Sequence, residues 1–203
     1  PGTTYLDTGF FEIGGGTIYN WDQGAWGPQD MIGCMVHSLN VCLARVASLM
    51  GENNFYTYMQ RFGIGHPTGI DLANEAAGRL KTPLDGDWYK IDLGTNSFGQ
   101  GVAVTPIQMM AAASALANDG KMSNPHVLYG MVSNGHQYNT PAQSLGTPIS
   151  PQSARTTSEM LAIALEDGKS VALVDGYRIA GKTGTAQIPG PNGLYDPNRT
   201  NAS

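Results

Sequence analysis

The sequence predicts an α+β fold in which helices dominate and little sheet forms. Apolar residues between positions 28 and 63 recur every three or four residues, which is the helical period. Two dipeptides, Thr105-Pro106 and Ser150-Pro151, combine a hydroxyl N-cap with a Pro at the first helical position. Only two segments, 126–133 and 177–187, have the pattern of a strand.

The first half of the chain is predicted as loops around a helical stretch. Residues 1–27 are rich in Gly and aromatic residues, which indicates irregular or short extended structure. Within 28–63, one helix is expected to begin with Ser38 as its cap and to end near Gly51. Another should begin at Asn53 or Asn54 and reach Gly63. Residues 64–96 carry Gly, Pro and Asp at short intervals and are predicted as a long loop.

The second half has clearer boundaries. A helix is expected from Thr105 to Gly120, and another from Ser150 to about Glu166. The strand at 177–187 should be followed by a turn at Pro189-Gly190-Pro191.

Composition excludes several classes of function. The 203 residues include 11 basic and 16 acidic ones, for a net charge of −5, and the first basic residue is Arg45. This balance argues against a surface for nucleic acid or for an anionic membrane. No stretch approaches the roughly 20 apolar residues of a membrane span. The start at Pro1 lacks the features of a signal peptide and indicates a cut end inside a longer chain.

The two cysteines, Cys34 and Cys42, are too few for a disulfide framework. On one helix they would lie ~12 Å apart along the axis, too far to bridge. We therefore expect two small buried apolar residues.

Residues 176–183 match the Walker A phosphate loop letter for letter. That motif requires a helix to open at its Lys-Thr pair, whose amides and dipole bind phosphate. Here Gly184, Pro189 and Pro191 follow Lys182-Thr183 and disfavour a helix. Nucleotide binding is therefore a remote alternative, and ATP should not bind.

Read as a strand, residues 181–186 suit a different ligand. Lys182 would place a positive charge at a sheet edge, and Gly184 would let another backbone lie close. Thr183 and Thr185 would offer hydroxyls to an anion, and a free amide beyond Gly184 could hold an oxyanion. This pattern indicates a site for an extended substrate that ends in a carboxylate.

The hexapeptide Gly181–Ala186 resembles the Lys-Thr-Gly strand of penicillin-binding proteins and serine β-lactamases. Ser38-Leu39-Asn40 resembles the family's Ser-x-Asn motif, 144 positions before Lys182. Further similar stretches lie between the two motifs: Phe62–Gly65, Thr68–Leu72 with Glu75, Gly99–Gln108, Ala117–Gly120 and Pro125. The resemblance covers nearly the whole chain and is greatest to the transpeptidase domain of class B penicillin-binding proteins.

One family motif is absent from this sequence. The family's nucleophile is the Ser of Ser-x-x-Lys, and none of the five lysines here has a Ser three residues before it. We therefore expect residues 1–203 to form a partial transpeptidase domain, without the nucleophile segment and the C-terminal strands. The Lys182 strand would then lie alone, and the fragment would use its unpaired edge to dimerise or to bind another chain.

The resemblance implies a β-lactamase/transpeptidase-like fold and a serine acyl-enzyme route to peptidoglycan cross-links. Ser38 would relay a proton to the leaving amine, and Asn40 would hold the substrate amide and the missing Lys. Lys182 would fix the Ser38 hydroxyl. Thr183 and Thr185 would bind the terminal carboxylate, and the amide after Gly184 would form part of the oxyanion hole. No cofactor or metal is implied.

The implied ligands are the D-Ala-D-Ala end of a stem peptide and β-lactam antibiotics. The parent protein would be membrane-anchored, act outside the plasma membrane and join a cell-wall synthesis complex. Alternatives within the fold are a D,D-carboxypeptidase, a β-lactamase or a β-lactam sensor. Outside the fold, a helical binding module remains, with Ser38 a helix cap and Lys182 a solvated lysine. The length of the match and the Gly99–Gln108 stretch favour the transpeptidase within the fold, and the distance between the motifs separates the family from the helical binding module. The transpeptidase reading places the Ser38 and Lys182 polar ends roughly 2.7–3.2 Å apart, with Asn40 lining the same cleft.

Overall fold

The structure is a computed structural model that describes residues 2–189 and 195–202. Its elements follow in this order: β1 (Thr4–Asp7), β2 (Phe10–Ile13), β3 (Gly16–Tyr19), β4 (Gly27–Asp30), α1 (Met31–Val36), α2 (Asn40–Met50), α3 (Glu52–Arg61), β5 (Arg79–Leu80), α4 (Lys90–Asn96), β6 (Val102–Ala103), α5 (Pro106–Ala117), β7 (Met122–Ser123), β8 (Gly130–Ser133), β9 (His136–Asn139), β10 (Ser144–Gly146), α6 (Pro151–Asp167), β11 (Thr185–Pro189) and β12 (Tyr195–Ala202). The strands of the described residues form antiparallel pairs: β1 with β4, β2 with β3, β5 with β6, β7 with β10, β8 with β9 and β11 with β12. The predicted α+β class is confirmed.

The described part of the chain divides into two compact units. One comprises Pro1–Glu52, Lys81–Gly101 and Ser158–Ser203, and we call it the first unit. The second unit comprises Asn53–Leu80 and Val102–Thr157. The Ser-x-Asn and Lys-Thr-Gly motifs both belong to the first unit, although they are far apart in sequence. None of the described helices has both the length and the apolar character that a membrane crossing needs.

The first unit is organised around α2. Its inner face is apolar and small, with Val41, Cys42, Ala44 and Ala47 buried. Helix α4 packs closely against α2 and β3. A Cβ added at Gly94 would lie 3.6 Å from Ala44 on α2 and 2.4 Å from the Ile18 side chain on β3. A small residue is therefore required at Gly94 for α4 to pack against α2 and β3.

The second unit is built on α5, whose buried Ala111 and Ala115 pack with Met122 and Phe62. The predicted cap is confirmed: Thr105 Oγ1 accepts from the Gln108 amide at 3.2 Å, and Gln108 Oε1 accepts from the Thr105 amide at 2.8 Å. Gln108 Nε2 also donates to the carbonyls of His66 and Ala77. Gln108 is thus a buried structural residue that fastens the loop before β5 to α5.

Several predicted boundaries are wrong. Helix α5 ends at Ala117 instead of Gly120, and α3 begins at Glu52 instead of Asn53 or Asn54. Within 126–133 only residues 130–133 form a strand, which pairs with β9 in a hairpin. The predicted loop 64–96 contains β5 and the helix α4. Helix α4 forms because Asp92 accepts from the Tyr89 amide and pairs with Lys81 Nζ at 3.0 Å.

The segment 177–187 differs most from its prediction. Regular strand structure begins only at Thr185, where β11 pairs with Ala202 at the end of β12. Residues 177–184 form no regular strand, and the pairing with β12 is present from Thr185 onward. The expectation of a lone strand is also wrong, since β12 covers one edge of β11. The turn predicted after Pro189 lies outside the described residues.

Candidate active site

Ser38 and Lys182 meet in the first unit. Lys182 Nζ donates to Ser38 Oγ at 2.9 Å, across 144 positions of sequence. The same ammonium group contacts the carbonyl of Thr183 at 3.0 Å and the Thr183 hydroxyl at 3.3 Å. The predicted proximity of the two motifs is therefore confirmed.

Ser38 lies in a tight turn between two helices. Helix α1 ends at Val36 with His37 as its C-cap, and the next residue, Ser38, adopts φ 52°, a left-handed conformation that is uncommon outside glycine. Leu39 then starts α2 as its N-cap, with no side-chain capping bond. The prediction that Ser38 caps this helix is therefore wrong. The turn instead points the hydroxyl toward Lys182 and leaves Leu39 fully buried.

A disulfide joins Cys34 and Cys42, with their Cα atoms 6.0 Å apart. The expectation of two free buried cysteines is wrong, because it placed both on one helix. Cys34 lies on α1 and Cys42 on α2, and the turn at 37–39 folds the two helices together. The disulfide packs with Leu39 against Tyr5, Trp26 and Met31, directly beneath the Ser38 turn.

Aromatic side chains surround the residue before Ser38. The Trp26 ring stacks on the His37 imidazole, with centroids 3.9 Å apart. Trp21 Nε1 donates to the His37 carbonyl at 3.1 Å. The His37 side chain is therefore packed against Trp26, and its carbonyl is bound by Trp21.

Asn40 is held by the last residue of β3. Its Nδ2 donates to the Tyr19 carbonyl at 3.1 Å. A cavity of about 220 Å³ lies beside Lys182 and is lined by Met35, Val36, Ala164, Leu165, Gly168, Ser170, Gly181, Lys182 and Thr183. Neither Asn40 nor Ser38 lines it, so the expectation that Asn40 shares a cleft with Lys182 does not hold for this cavity.

The environment of Lys182 is partly desolvated. Burial lowers the pKa of its ammonium group below the usual value for lysine. Its three acceptors are neutral oxygens, of Ser38 and Thr183. A cation held against a hydroxyl in this way is suited to orient that hydroxyl and to attract an anionic ligand.

The segment that leads to Lys182 is tied to α6. Arg178 Nη2 pairs with Glu159 at 2.6 Å, and its Nε lies 3.5 Å from Glu166. These carboxylates raise the pKa of the Arg178 guanidinium. A Cβ added at Gly181 would lie 3.2 Å from Leu165, so Gly181 allows close packing on the same helix. The role of Arg178 could not be predicted from spacing, because Arg178 lies outside α6 while Glu159 and Glu166 are about two turns apart on that helix.

Thr183, Gly184 and Thr185 follow Lys182 without a helix. Thr183 and Thr185 are exposed, and Thr185 is the first residue of β11. No helix opens at Lys182, as predicted, so the Walker A match lacks the amides that would bind phosphate. The three substrate-binding candidates thus lie in sequence next to the Ser38–Lys182 pair.

Comparison with known proteins places these motifs in a family. The family model described as "Penicillin binding protein transpeptidase domain" matches residues 2–203. Stage V sporulation protein D of Bacillus subtilis is 34% identical over 191 residues, which is 90% of this chain and 29% of that protein. Penicillin-binding protein PbpB of Mycobacterium tuberculosis is 32% identical over 198 residues, covering 92% of this chain and 29% of PbpB. This chain spans about a third of the length of such relatives.

Solved structures agree with the sequence comparison. Penicillin-binding protein 3 of Mycobacterium tuberculosis, complexed with ampicillin, superposes with a TM-score of 0.88 at 28% identity. The match covers 98% of this chain and 46% of that one. The same protein without ligand gives a TM-score of 0.87.

Proposed function

This chain belongs to the penicillin-binding protein transpeptidase domain family, and we propose that it forms part of a peptidoglycan D,D-transpeptidase. The observation that carries the proposal is the 2.9 Å hydrogen bond between Lys182 and Ser38. This bond joins two of the family's three motifs. Its two groups, the Ser38 hydroxyl and the Lys182 ammonium, are those expected to take part in proton transfer during the reaction.

The proposed reaction has two acyl-transfer steps. A serine hydroxyl attacks the carbonyl carbon between the two D-Ala residues of a stem peptide, the C–N bond breaks, and D-Ala leaves as an amine. The amine of a second stem peptide then attacks the ester, which forms the cross-link and frees the serine. Because this sequence has no Ser-x-x-Lys, the proposal assigns the nucleophile to residues outside it.

The residues of this chain would assist that serine. Ser38 would pass a proton to the leaving amine, because Lys182 holds its hydroxyl in place. Asn40 would bind the substrate amide and the Lys of the nucleophile motif. Thr183 and Thr185 would bind the terminal carboxylate, while Gly184 would let the substrate backbone lie against the strand. The Thr185 amide would contribute to the oxyanion hole.

The same site would react with β-lactams, which resemble the D-Ala-D-Ala end of the substrate. Support comes from a family member, the penicillin-binding protein 3 of Mycobacterium tuberculosis, which was crystallised with ampicillin and with aztreonam. The two sequences are 28% identical, and the matches cover at least 97% of this chain and 46% of that protein's chain.

We place the protein outside the cytoplasm, at the outer face of the bacterial plasma membrane. The Cys34–Cys42 disulfide supports this location, because structural disulfides persist in oxidising compartments and are rare in the cytosol. A membrane anchor and partners in cell-wall synthesis would belong to the longer protein. Dimerisation through a lone strand edge is not proposed, because β11, which begins three residues after Lys182, pairs with β12.

Fluorescent penicillin tests the proposal directly. The full-length protein should take up one label per chain, whereas residues 1–203 alone should take up none. With a stem pentapeptide and an acceptor amine, mass spectrometry should detect the cross-linked product. Hydrolysed tetrapeptide alone would identify a carboxypeptidase, and labelling without peptide turnover would identify a sensor. Stoichiometric labelling of residues 1–203 would show that another nucleophile, with Ser38 the first candidate, carries the chemistry.

A further inference from the structure

Three consecutive residues hold the turn that carries Ser38. The Tyr19 carbonyl accepts from Asn40 Nδ2 at 3.1 Å, Asn20 Oδ1 accepts from the Val41 amide at 3.2 Å, and Trp21 Nε1 donates to the His37 carbonyl at 3.1 Å. We call Tyr19, Asn20 and Trp21 the clasp. Its hydrogen bonds reach both sides of Ser38 without using the Ser38 side chain.

Asn20 supplies the side-chain cap that the N-terminus of α2 lacks. The first amides of a helix have no partner within the helix, and a polar N-cap side chain commonly accepts from one of them. The N-cap of α2 is the apolar Leu39, which makes no side-chain capping bond. Asn20, 21 positions upstream, accepts from Val41 and so replaces the missing local cap.

Asn20 is itself fixed in one orientation. It is only 2% exposed, and its Nδ2 donates to Asp7 Oδ2 at 2.8 Å and to the Gly24 carbonyl at 3.1 Å. Asp7 is equally buried, and the same carboxylate oxygen accepts from the Trp26 amide at 2.9 Å. Because both ends of the Asn20 amide have buried partners, the side chain cannot rotate without leaving polar groups unsatisfied.

This arrangement matters because Ser38 has an uncommon backbone conformation. A non-glycine residue at φ 52° persists only where its surroundings hold it. Catalytic groups must also stay within about 0.5 Å of their productive positions. The clasp fixes His37 on one side of Ser38 and Asn40 and Val41 on the other.

We infer that Asn20 is a positioning residue for acyl transfer: by capping α2 from a distance, it holds Ser38 and Asn40 in register with Lys182. The inference rests on the proposed function. It assigns a role to the buried Asp7–Asn20 pair, which lies outside the three motifs and touches no proposed reacting atom.

The test is Asn20→Ala in the full-length protein, with stopped-flow measurement of β-lactam acylation. The acylation rate constant should fall about 10- to 100-fold, the cost of displacing catalytic groups by a fraction of an ångström to an ångström. The dissociation constant of the initial noncovalent complex should stay within about threefold, because the proposed carboxylate-binding residues are untouched. Met122→Ala, in the core of the second unit, controls for lost stability and should leave the rate constant unchanged.

Two further measurements probe the contacts of the clasp. Hydrogen exchange should show the Val41 amide at least about fivefold less protected in Asn20→Ala than in Met122→Ala, whether or not the protein reacts with β-lactams. Trp21→Phe removes one hydrogen bond from a largely exposed ring and should fold normally, with acylation about three- to tenfold slower. If Asn20→Ala does not fold, the acylation rate constant of Trp21→Phe tests whether the clasp positions Ser38.

The outcomes separate the inference from the function on which it rests. A wild-type protein that takes up no β-lactam contradicts the proposed function, while Val41 exchange still tests the clasp. A wild-type protein that acylates, with unchanged rate constants in Asn20→Ala and Trp21→Phe, overturns the inference. Equal protection of Val41 in Asn20→Ala and the control also overturns it.

Discussion

Cys34 and Cys42 are joined by a disulfide that spans the turn carrying Ser38, one cysteine on each of two successive helices. Both sulfur-bearing residues are buried, at 2% and 1% exposure, together with Leu39. The disulfide therefore lies in the buried cluster next to the Ser38 turn, and the clasp forms hydrogen bonds to the same turn.

Removing this disulfide should lower stability. A cross-link that closes a loop of this size is worth about 2–3 kcal/mol through the unfolded state. We expect Cys34→Ala/Cys42→Ala to lower the free energy of unfolding by about that amount in urea titrations. Peptide mapping of unreduced wild-type protein should find the two cysteines linked. Free thiols at both positions, with an unchanged unfolding midpoint, would contradict the structure.

The pH dependence of acylation should report Lys182. Burial lowers the pKa of this lysine, so its positive charge is lost at a lower pH than in an exposed lysine, for which the pKa is about 10.4. If the charge is required, the acylation rate should fall as pH rises through this lowered pKa. Lys182→Arg should move that alkaline limb to higher pH, because arginine stays charged. An alkaline limb that is identical in both proteins would exclude Lys182 as its source.

Glu75 should make the loop before β5 sensitive to acid. Its carboxylate accepts from the Thr68 hydroxyl at 2.6 Å and from the amides of Thr68 and Gly69, and these bonds lower its pKa. The ionised form therefore stabilises the loop above the ordinary glutamate pKa, and this support is lost as pH falls through the lowered value. In Glu75→Gln, protection of the Thr68 and Gly69 amides at neutral pH should fall roughly three- to tenfold. Glu12→Gln, in the first unit, should leave both amides unchanged.

Gly69 and Gly78, in and after the loop that Glu75 holds, share a backbone conformation but differ in the space around them. Gly78 and Gly69 both have left-handed backbones, with φ 69° and 76°. A Cβ at Gly78 would lie 2.3 Å from the Ala103 carbonyl oxygen on β6, whereas a Cβ at Gly69 meets nothing within 4 Å. We expect Gly69→Ala to cost about 1 kcal/mol in backbone strain, and Gly78→Ala roughly 3 kcal/mol or more. Equal midpoints in urea unfolding would show that β5 and β6 are not packed this closely.

The motifs could be predicted from sequence because each carries its own local chemistry. Thr105-Pro106 fixes a helix start by its cap and its ring, with no help from the rest of the fold. Helix α4 could not be predicted because its Gly and Asp residues are poor helix formers. The Asp92–Lys81 ion pair and the close packing at Gly94 offset this low helix propensity. The Cys34–Cys42 bridge and the left-handed Ser38 both depend on a chain reversal at 37–39, for which the sequence contains no glycine or proline.

Ser38 and Lys182 should act as one unit in acyl transfer, and a double-mutant cycle on β-lactam acylation tests this directly. In the full-length protein, Ser38→Ala and Lys182→Ala should each slow acylation by about 10²-fold or more, as for loss of one preorganised polar group. Lys121→Ala, an exposed lysine of the second unit, serves as the control and should react like wild type. Because the two residues share one hydrogen bond, the double variant should be little slower than either single variant. Multiplicative losses near 10⁴-fold, or single variants that react at the wild-type rate, would contradict the central claim.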